Sequence, residues 1–394
     1  MDRGLLTDNI LCKHFGTCGG CTFQDIPYDQ QLLDKEERVK SLMAGAGLSA
    51  PVLPINHYPP FYYRNKMEFT FAGSNISCGL YNNAREKGAK EVFDVEECRI
   101  FSPDIGRIIA AVKEFAIAKG YTAYNRFNYQ GFLRHLLVRQ TKTNKQLMVG
   151  LVTTSRMELY KEEYVKVLLS LELESRVHSI YWIINDSMSD AVVFEKKELL
   201  YGEPFMVESL DDFKFNIGVD TFFQINPLGM KDLYHRIRHY ASMTKEQTAL
   251  DLFCGAGGIG MFLAQDAKSV VGVELQEAIV SAARANAALN NISNISFHGA
   301  DVRRFLNLQG LPYKGTDVVV INPPRSGLSV KIVRAVVRLT PETIFYSSCN
   351  PETLFHDLPG FLQNYALTFV EPFDFFPHTP HMECLAVLKR AHGS

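Results

Sequence analysis

The chain has 394 residues and a mass of 44.5 kDa, which corresponds to two or three domains at roughly 100–200 residues each. Its 41 basic and 43 acidic residues give a formal net charge of −2. This balance excludes a protein that holds nucleic acid by overall positive charge, but it permits a local basic patch. No apolar run approaches the ~18 residues of a membrane-spanning helix, and the first residues lack the apolar core of a signal peptide. We therefore expect a cytoplasmic, monomeric protein with no membrane partner.

The first half of the chain predicts an α+β domain. Apolar side chains at helical spacing followed by Gly-Ala-Gly predict a helix over 29–48. Between about 51 and 216, mostly alternating patterns predict an antiparallel sheet, with one helix near 102–118. We expect residues 1–216 to form this domain, with the helix of 29–48 packed on the second domain. The clearest strands fall within 66–73, 145–154, 178–186 and 190–200.

Eight cysteine residues occur in the sequence, four of them with the spacing of a metal site. In a reducing compartment, clustered cysteines serve as metal ligands or catalysts in place of disulfides. Cys12, Cys18 and Cys21 are separated by five and two residues, and Cys98 lies far downstream. Four thiolates suit a [4Fe–4S] cluster or a structural zinc ion, and the spacing alone leaves both open. The cysteines interpreted as ordinary buried residues are Cys78, Cys254 and Cys384.

One stretch of this first domain has the composition of an RNA-binding surface. Residues 115–157 contain seven lysine or arginine residues and no aspartate or glutamate, and aromatic residues lie between them. Basic side chains can bind phosphates and aromatic rings can stack on unpaired bases, so we expect single-stranded RNA here. The alternative is a solvated strand face with a local charge bias. The basic residues selected as RNA contacts are Arg64, Lys66, Arg126, Arg134 and Arg139.

In the second half, residues 217–394, strands alternate with helices, which is typical of a doubly wound parallel sheet. A glycine-rich segment follows the first strand, and Gly255 and Gly257 would let a ligand approach the backbone closely. Glu274 ends the second strand, where a carboxylate can accept hydrogen bonds from ribose hydroxyls. Asp301 follows the third strand, where a polar side chain often meets an adenine. The strands are predicted within 248–253, 269–275, 295–301, 317–324, 342–349 and 383–390, with a helix over 276–289.

These strand ends, with Asn-Pro-Pro at 322–324, resemble the Rossmann-like fold of S-adenosylmethionine-dependent methyltransferases. A dinucleotide-dependent dehydrogenase is the alternative, because Gly255, Gly257 and Gly260 also fit G-x-G-x-x-G. The strand that ends in Asn-Pro-Pro and the residues after it must decide between the two.

Two later residues indicate covalent chemistry. Cys349 follows a strand at the usual reaction edge and is flanked by polar and turn-forming residues, which favours a nucleophile over a buried structural cysteine. Glu383 opens the last strand after two histidines, and their irregular spacing favours a general base over a metal site. A thiolate, a base and a methyl donor together suit methylation of uracil at carbon 5. Thiolate attack on carbon 6 makes carbon 5 nucleophilic, and the base then removes the carbon 5 proton.

Motifs along nearly the whole chain resemble the RNA uracil-C5 methyltransferase family. They are CKHFGTCGGC (12–21), VEECRIF (95–101), FFQINP (222–227), DLFCGAGG (251–258), VVGVE (270–274), INPPR (321–325), YSSCNPET (346–353) and FPHTPHME (376–383). The resemblance implies that Cys349 is the nucleophile and Glu383 the base, and that Phe222 lies near the flipped uracil. It also favours a [4Fe–4S] cluster over zinc. The residues that it places around S-adenosylmethionine are Gln224, Phe253, Glu274, Asp301 and Asn322.

Within this family the four-cysteine motif and Asn322, where many members have aspartate, resemble the short ribosomal-RNA branch, which lacks the small RNA-binding barrel called TRAM. The resemblance thus implies a 23S rRNA hairpin as substrate, at about position 747, with transfer RNA as the alternative. Two other enzyme classes compete, an exocyclic-amine methyltransferase and a cytosine-C5 enzyme. The first typically has an aromatic residue where this chain has Arg325, and we find no second cysteine motif for the other. A non-catalytic RNA-binding protein with an iron–sulfur or zinc site is the last alternative.

Overall fold

The computed structural model describes residues 11–82, 91–189, 192–307 and 313–391. The described chain divides into two compact units. Unit 1 takes the residues up to Gln31, Pro59–Met206 and Gly218–Asp220, and unit 2 takes Leu32–Tyr58, Val207–Ile217 and the residues from Thr221 onward. The chain therefore passes between the units several times, whereas the sequence predicts a single boundary at 216/217. The N-terminal residues considered for a signal peptide lie outside the described ranges.

Helix α1 (Tyr28–Gly45) corresponds to the helix predicted over 29–48, and most of it belongs to unit 2. Val39 and Met43 lie four residues apart on one face of α1, and both are buried in a core cluster of unit 2. The helix thus packs against unit 2, although it lies far from the rest of that unit in the sequence.

A seven-stranded sheet forms the centre of unit 1, in the order β3-β2-β1-β4-β5-β6-β7. Its neighbouring strands are antiparallel except for β5 and β6, which are parallel because a helix carries the chain back between them. The strand predicted within 190–200 begins only at Lys196, and residues 190 and 191 are not described. The elements are β1 (Lys66–Ala72), β2 (Ser77–Tyr81), β3 (Val92–Asp94), α2 (Ile105–Ala118), β4 (Leu133–Gln140), β5 (Gln146–Thr153), α3 (Lys161–Leu169), β6 (Arg176–Ile184) and β7 (Lys196–Gly202).

A hairpin of β8 (Met206–Leu210) and β9 (Phe213–Ile217) precedes the central sheet of unit 2. This sheet has the order β12-β11-β10-β13-β14-β16-β15. Strands β10 to β14 are parallel, as the sequence predicts. Strand β16 runs antiparallel to both of its neighbours, whereas the sequence predicts a parallel sheet. The strands are β10 (Thr248–Leu252), β11 (Ser269–Glu274), β12 (Ile295–Gly299), β13 (Val318–Ile321), β14 (Thr343–Ser348), β15 (Tyr365–Phe373) and β16 (Glu383–Arg390).

Helices cover both faces of this sheet, so alternate residues of one strand enter different core clusters. Ala249 and Val320 belong to one cluster, and Leu250 and Val319 to the other. Strands buried on both faces read as continuous apolar runs, which is why the sequence predicts them well. The helices of unit 2 that follow α1 are α4 (Pro227–Ala241), α5 (Gly258–Ala264), α6 (Glu277–Leu289), α7 (Val302–Phe305), α8 (Val330–Leu339) and α9 (Pro351–Asp357), followed by a 3₁₀ turn over Leu358–Gly360.

The strand order reverses between β10 and β13, and ligands bind such sheets in the crevice beyond the carboxyl ends of the strands at this point. Phe253 and Asn322 directly follow these two strands. Within the described ranges, every helix is too short or too polar to cross a lipid bilayer.

Candidate active site

The loop after β10 has the backbone of a ligand cradle. Phe253, Gly255 and Gly257 all have positive φ angles, of 61°, 52° and 84°. A Cβ atom on Gly257 would lie 2.6 Å from the ring of Phe297, so close packing requires this glycine. Over Gly255, in contrast, the nearest atom to an added Cβ is Cδ1 of Phe222, at 3.9 Å. The loop therefore leaves space at Gly255, with the exposed ring of Phe222 beside it.

Beneath this loop, Asp251 fixes the start of α5. Its Oδ2 accepts a hydrogen bond from the backbone N–H of Gly260 at 2.9 Å, and the side chain is fully buried. Burial raises the pKa of Asp251 to about 7. The sequence analysis did not select Asp251. An aspartate inside an otherwise apolar strand indicates a buried carboxylate with a specific partner, and this pattern is visible in the sequence.

The acidic residues predicted to contact the cofactor also bind their own backbone. Oε1 of Glu274 accepts hydrogen bonds from the N–H groups of Leu275, at 2.8 Å, and Gln276, at 3.1 Å. Asp301 is the N-cap of α7, where its Oδ1 accepts from the N–H of Arg304 at 2.9 Å. These bonds fix the orientation of both carboxylates at the carboxyl edge of the sheet. Their contact with a cofactor stays a prediction.

The Phe-Phe-Gln segment, which contains the half-buried Gln224, leads into α4. Asn226 caps this helix by accepting a hydrogen bond from the N–H of Gly229 at 3.2 Å. The amide of Asn226 also donates to the carbonyl of Phe375 at 3.2 Å, and the side chain is fully buried. Asn226, which we did not select, therefore joins the segment of Gln224 to the segment that leads to Glu383.

The sheet brings Cys349 and Glu383 together. Strands β14 and β16 are antiparallel neighbours, with Ser348 opposite Cys384. Continuing this register by one residue places Cys349 opposite Glu383. The charge of Glu383 acts on the thiol, since it contributes to raising the pKa of Cys349. Two residues that are 34 positions apart in the chain thus meet because their strands pair.

Two opposing influences act on the Cys349 thiol. Burial, followed by the charge of Glu383, raises its pKa, whereas a hydrogen bond from Arg325 and the guanidinium charge lower it. The amide of Asn350 also donates to the backbone carbonyl of Arg325 at 3.2 Å, which ties the cysteine loop to the Asn-Pro-Pro-Arg loop. The sequence analysis treats Arg325 only as a departure from another enzyme class, whereas the structure places its guanidinium at the Cys349 thiol.

Glu383 lies in an environment that suits a general base. The side chain is 2% exposed, and its Oε1 accepts a hydrogen bond from Oγ of Ser347 at 2.5 Å. Burial raises the pKa of Glu383 to about 7, although the serine hydroxyl opposes this shift. A carboxylate with a pKa near the working pH is well matched to accept a proton and release it again.

Helix α1 holds the segment before Glu383 in place. Nζ of Lys35 donates to Oδ1 of Asp374 at 2.6 Å and to the carbonyl of Phe376 at 3.2 Å. Lys35 and Asp374 are both buried, with side-chain exposures of 4% and 0%. Arg38, one turn later, donates to the carbonyl of Pro380 at 2.7 Å. The loop before Glu383 is therefore fixed by two cations, Lys35 and Arg38, that the sequence analysis did not select.

In unit 1, the four predicted metal-ligating cysteines, Cys12, Cys18, Cys21 and Cys98, line one small cavity. Burial, with smaller contributions from neighbouring thiols, raises the pKa of Cys21 and Cys98 to about 12. Among the described residues, no three His, Cys, Asp or Glu side chains are grouped as a metal-ion site requires. Four thiolates are suitable ligands for iron or zinc, and the presence of a metal here stays a prediction.

Two of the basic residues predicted to contact RNA are buried in unit 1. Arg134 is 2% exposed and donates to the carbonyls of Asn185 at 2.8 Å and Ser187 at 2.6 Å. Arg139 is 3% exposed, and burial lowers its pKa to about 10. Both guanidinium groups are buried, which argues against direct contact with RNA phosphates, and their RNA contact stays a prediction.

The other basic residues chosen as RNA contacts have mixed surroundings. Nζ of Lys66 lies 2.5 Å from a carboxylate oxygen of Glu68. The charge of Arg64 lowers the pKa of two of the cavity cysteines, so this guanidinium lies towards the cysteine cavity. Arg126 lies 5.0 Å from the ring centroid of Phe127, which is 81% exposed. Of these candidates, Arg126 thus best fits an RNA surface.

A family model described as tRNA (uracil-5-)-methyltransferase matches residues 27–391. The match includes the glycine loop, Cys349 and Glu383. The chain belongs to the RNA uracil-5 methyltransferase family.

Similarity to other proteins supports this assignment. An uncharacterized RNA methyltransferase from Clostridium tetani is 37% identical over 96% of this chain and 83% of its own length. Another uncharacterized RNA methyltransferase, from Caldanaerobacter subterraneus, is 36% identical over 96% and 84%. The crystal structure of Pyrococcus abyssi tRNA (uracil-54, C5)-methyltransferase, in complex with S-adenosyl-L-homocysteine, has a TM-score of 0.77 and 29% identity, and covers 94% of this chain and 86% of that one. The predicted Rossmann-like methyltransferase fold is confirmed.

Proposed function

We propose that this protein transfers a methyl group from S-adenosylmethionine to carbon 5 of a uridine in RNA, with Cys349 as the nucleophile and Glu383 as the base. The observation that carries this proposal is the strand register, which places a thiol opposite a buried carboxylate with a pKa of about 7. Family membership supports uracil carbon 5 as the reacting atom.

The first step is the addition of the Cys349 thiolate to carbon 6 of uracil. A bond forms between sulfur and carbon 6, and the electrons of the C5=C6 double bond shift towards the carbon 4 carbonyl to give an enolate. The thiolate must form although burial raises the pKa of Cys349. Arg325 assists because it donates a hydrogen bond to the sulfur and its positive charge favours the anion.

The second stage needs the base. S-adenosylmethionine would supply an electrophilic methyl group to the enolate carbon 5. As the new C–C bond forms, the bond between the methyl group and the sulfonium sulfur would break and S-adenosylhomocysteine would leave. Glu383 then takes the proton from carbon 5, the C5=C6 bond forms again, and the C6–S bond breaks to release the Cys349 thiolate. The hydroxyl of Ser347 keeps the Glu383 carboxylate in one orientation through its 2.5 Å hydrogen bond.

The carboxyl edge of the sheet would hold S-adenosylmethionine. The open space over Gly255 and the positive φ angle of Phe253 provide the backbone cradle. Around it, we assign cofactor contacts to the residues that the sequence predicts: Gln224, Phe253, Gly255, Gly257, Glu274, Asp301 and Asn322. We assign Phe222, which is 58% exposed beside Gly255, to the target base.

For the cysteine cavity we propose a [4Fe–4S] cluster with a structural or RNA-positioning role. Cys12, Cys18, Cys21 and Cys98 would hold it through their thiolates, and binding would release the protons that burial otherwise keeps on the sulfurs. Other contacts already join the segment that contains Cys12 to the segment that contains Cys98. Lys13 and Glu96 form an ion pair at 2.6 Å, beside the first and last of these cysteines.

For the substrate we propose 23S rRNA, on the resemblance of the four-cysteine motif and Asn322 to the ribosomal-RNA branch. Transfer RNA is the second candidate, and the Pyrococcus relative that acts on uracil-54 of tRNA favours it. The two are separated by mapping 5-methyluridine in rRNA and tRNA from a deletion strain, with and without the restored gene. Loss of the modified uridine from rRNA supports the first candidate, and loss confined to tRNA contradicts it.

The proposed activity itself is tested with purified protein. Incubation with methyl-labelled S-adenosylmethionine and RNA from the deletion strain should yield labelled 5-methyluridine after digestion to nucleosides. The variant Cys349→Ala should give none while it still binds S-adenosylmethionine. Label in another nucleoside, or undiminished activity of the variant, would contradict the proposal.

A further inference from the structure

A cleft of about 770 Å³ lies in unit 1. Its walls are the β1–β2 hairpin, the loop of residues 122–131 and the start of β3, and Arg134 of β4 contributes a cation. Among the described residues of the lining, Glu91, which directly precedes β3, is the one carboxylate. The volume is in the range of small-molecule sites, which are roughly 300–1,000 Å³. The cleft therefore has room for a nucleotide.

The loop 122–131 presents an aromatic ring on a rigid turn. The N–H of Asn125 donates to the carbonyl of Gln130 at 2.7 Å, and the N–H of Phe127 donates to Oδ1 of Asn125 at 2.8 Å. Gly131, with φ +111°, has no room for a side chain, because a Cβ would lie 2.2 Å from the carbonyl oxygen of Ala123. The backbone thus holds Phe127, 81% exposed, at the edge of the cleft.

The polar chemistry of the cleft suits a nucleotide. The guanidinium of Arg126 lies between two rings, 5.0 Å from the centroid of Phe127 and 5.7 Å from that of Tyr81. Amide side chains of Asn125, Asn128 and Gln130 also line the cleft and can pair with the edge of a base. An exposed ring beside an arginine is the arrangement that stacks an unpaired base and binds its phosphate.

Buried Arg134 adds positive charge to the cleft. Its guanidinium is bound by carbonyl oxygens of residues 185–189 and stacks over the ring of Tyr124, with 4.3 Å to the centroid. Among the described residues, the Nε of Arg134 has no hydrogen-bond partner. A buried cation held by carbonyl dipoles makes its surroundings attractive to an anion.

We propose that this cleft binds an unpaired nucleotide of the substrate RNA, other than the uridine that is methylated. The base stacks on Phe127, and Arg126 binds the phosphate. This inference rests on the proposed function, since it supplies that reaction with a second anchoring point on a single-stranded part of the same RNA.

The test measures the binding of fluorescein-labelled 12-mers of uridine and of adenosine to the full chain by fluorescence anisotropy. A stacking contact is worth roughly 1–3 kcal/mol, so Phe127→Ala should weaken binding by about 5- to 150-fold. Phe127→Trp should retain most of the affinity. The matched control is Tyr160→Ala, which removes another exposed ring under a cation, Lys119 at 4.5 Å, in the same unit but outside the cleft. This control should bind as the unmodified protein does.

Equal affinity of Phe127→Ala and the unmodified protein would overturn the proposal and leave another class of partner for the cleft. Methylation of RNA by the unmodified protein is measured in parallel. If the protein methylates uridine but Phe127→Ala retains its affinity and its kcat/KM, only the cleft proposal fails. If Phe127→Ala loses affinity but the unmodified protein forms no 5-methyluridine, the cleft is supported and the proposed function fails.

Discussion

Replacing the proposed base by its neutral analogue should stabilise the protein in a pH-dependent manner. Burial raises the pKa of Glu383 from 4.5 to about 7. The folded protein thus binds this proton more tightly than the unfolded chain does. The free energy of unfolding contributed by Glu383 is therefore highest below pH 4.5, falls as the pH rises from 4.5 to 7, and is constant above that. At about 1.4 kcal/mol per pH unit, the total loss is about 3 kcal/mol.

Glu383→Gln removes the ionisation and keeps an oxygen that can accept the hydrogen bond from Ser347. We expect the variant to match the unmodified protein at pH 5 and to be more stable at pH 8, by up to about 3 kcal/mol. For a unit of this size, this corresponds to roughly 6–12 °C in Tm. Urea unfolding followed by circular dichroism at pH 5, 6, 7 and 8 measures the difference. Tryptophan fluorescence is unsuitable, because the single tryptophan, Trp182, lies in unit 1.

The control is Glu246→Gln, which changes an exposed glutamate of the same unit and should give no gain that grows with pH. Asp251 is also buried with a pKa of about 7, but it is present in both proteins and cancels from the comparison. A stability difference between Glu383→Gln and the unmodified protein that is constant from pH 5 to 8, or that shrinks as the pH rises, would refute the reasoning.

Three further predictions concern the nucleophile, the base loop and the cysteine cavity. Arg325→Met should shift the pH profile of Cys349 alkylation by iodoacetamide upwards, because a hydrogen bond and a positive charge that lower its pKa are lost; an unshifted profile would exclude Arg325 from thiol activation. Lys35→Met should destabilise the protein by about 3–5 kcal/mol in urea unfolding, because Asp374 stays buried without its cation. Adding Asp374→Asn should restore most of this stability, and a double variant no better than the single one would contradict the ion-pair argument. Anaerobically purified protein should contain about four iron and four sulfide per chain, and Cys21→Ser much less; zinc in their place would show that the cluster assignment is wrong.

The sequence predicts the methyltransferase sheet well because its parallel strands are apolar on both faces and end in polar residues at one edge. It also indicates the proposed reacting pair, since Cys349 and Glu383 stand at strand ends, and the structure brings their strands side by side. The sequence does not predict the antiparallel direction of β16 or the presence of β15. The direction in which two strands pair depends on how the chain connects them, and this leaves no pattern in the residues of the strands themselves.

The errors and omissions have a common physical origin in long-range contacts. Lys35 and Asp374 are 339 residues apart, and neither has a neighbour in sequence that indicates the pair. Arg134 lies in a basic, aromatic stretch that indicates a surface, yet carbonyls about 50 residues later surround its guanidinium. Charge composition shows that a region is basic, whereas burial depends on which distant segment packs over each side chain.

The most direct test of the central claim is to trap the covalent intermediate. Without the base, carbon 5 keeps its proton and Cys349 cannot leave carbon 6. Glu383→Gln mixed with substrate RNA and S-adenosylmethionine should therefore accumulate a protein–RNA complex that survives denaturing electrophoresis. Mass spectrometry should find a methylated uridine attached to the Cys349 peptide, and Cys349→Ala combined with Glu383→Gln should give no complex. Continued turnover by Glu383→Gln, or a complex attached to another residue, would contradict the assignment of nucleophile and base.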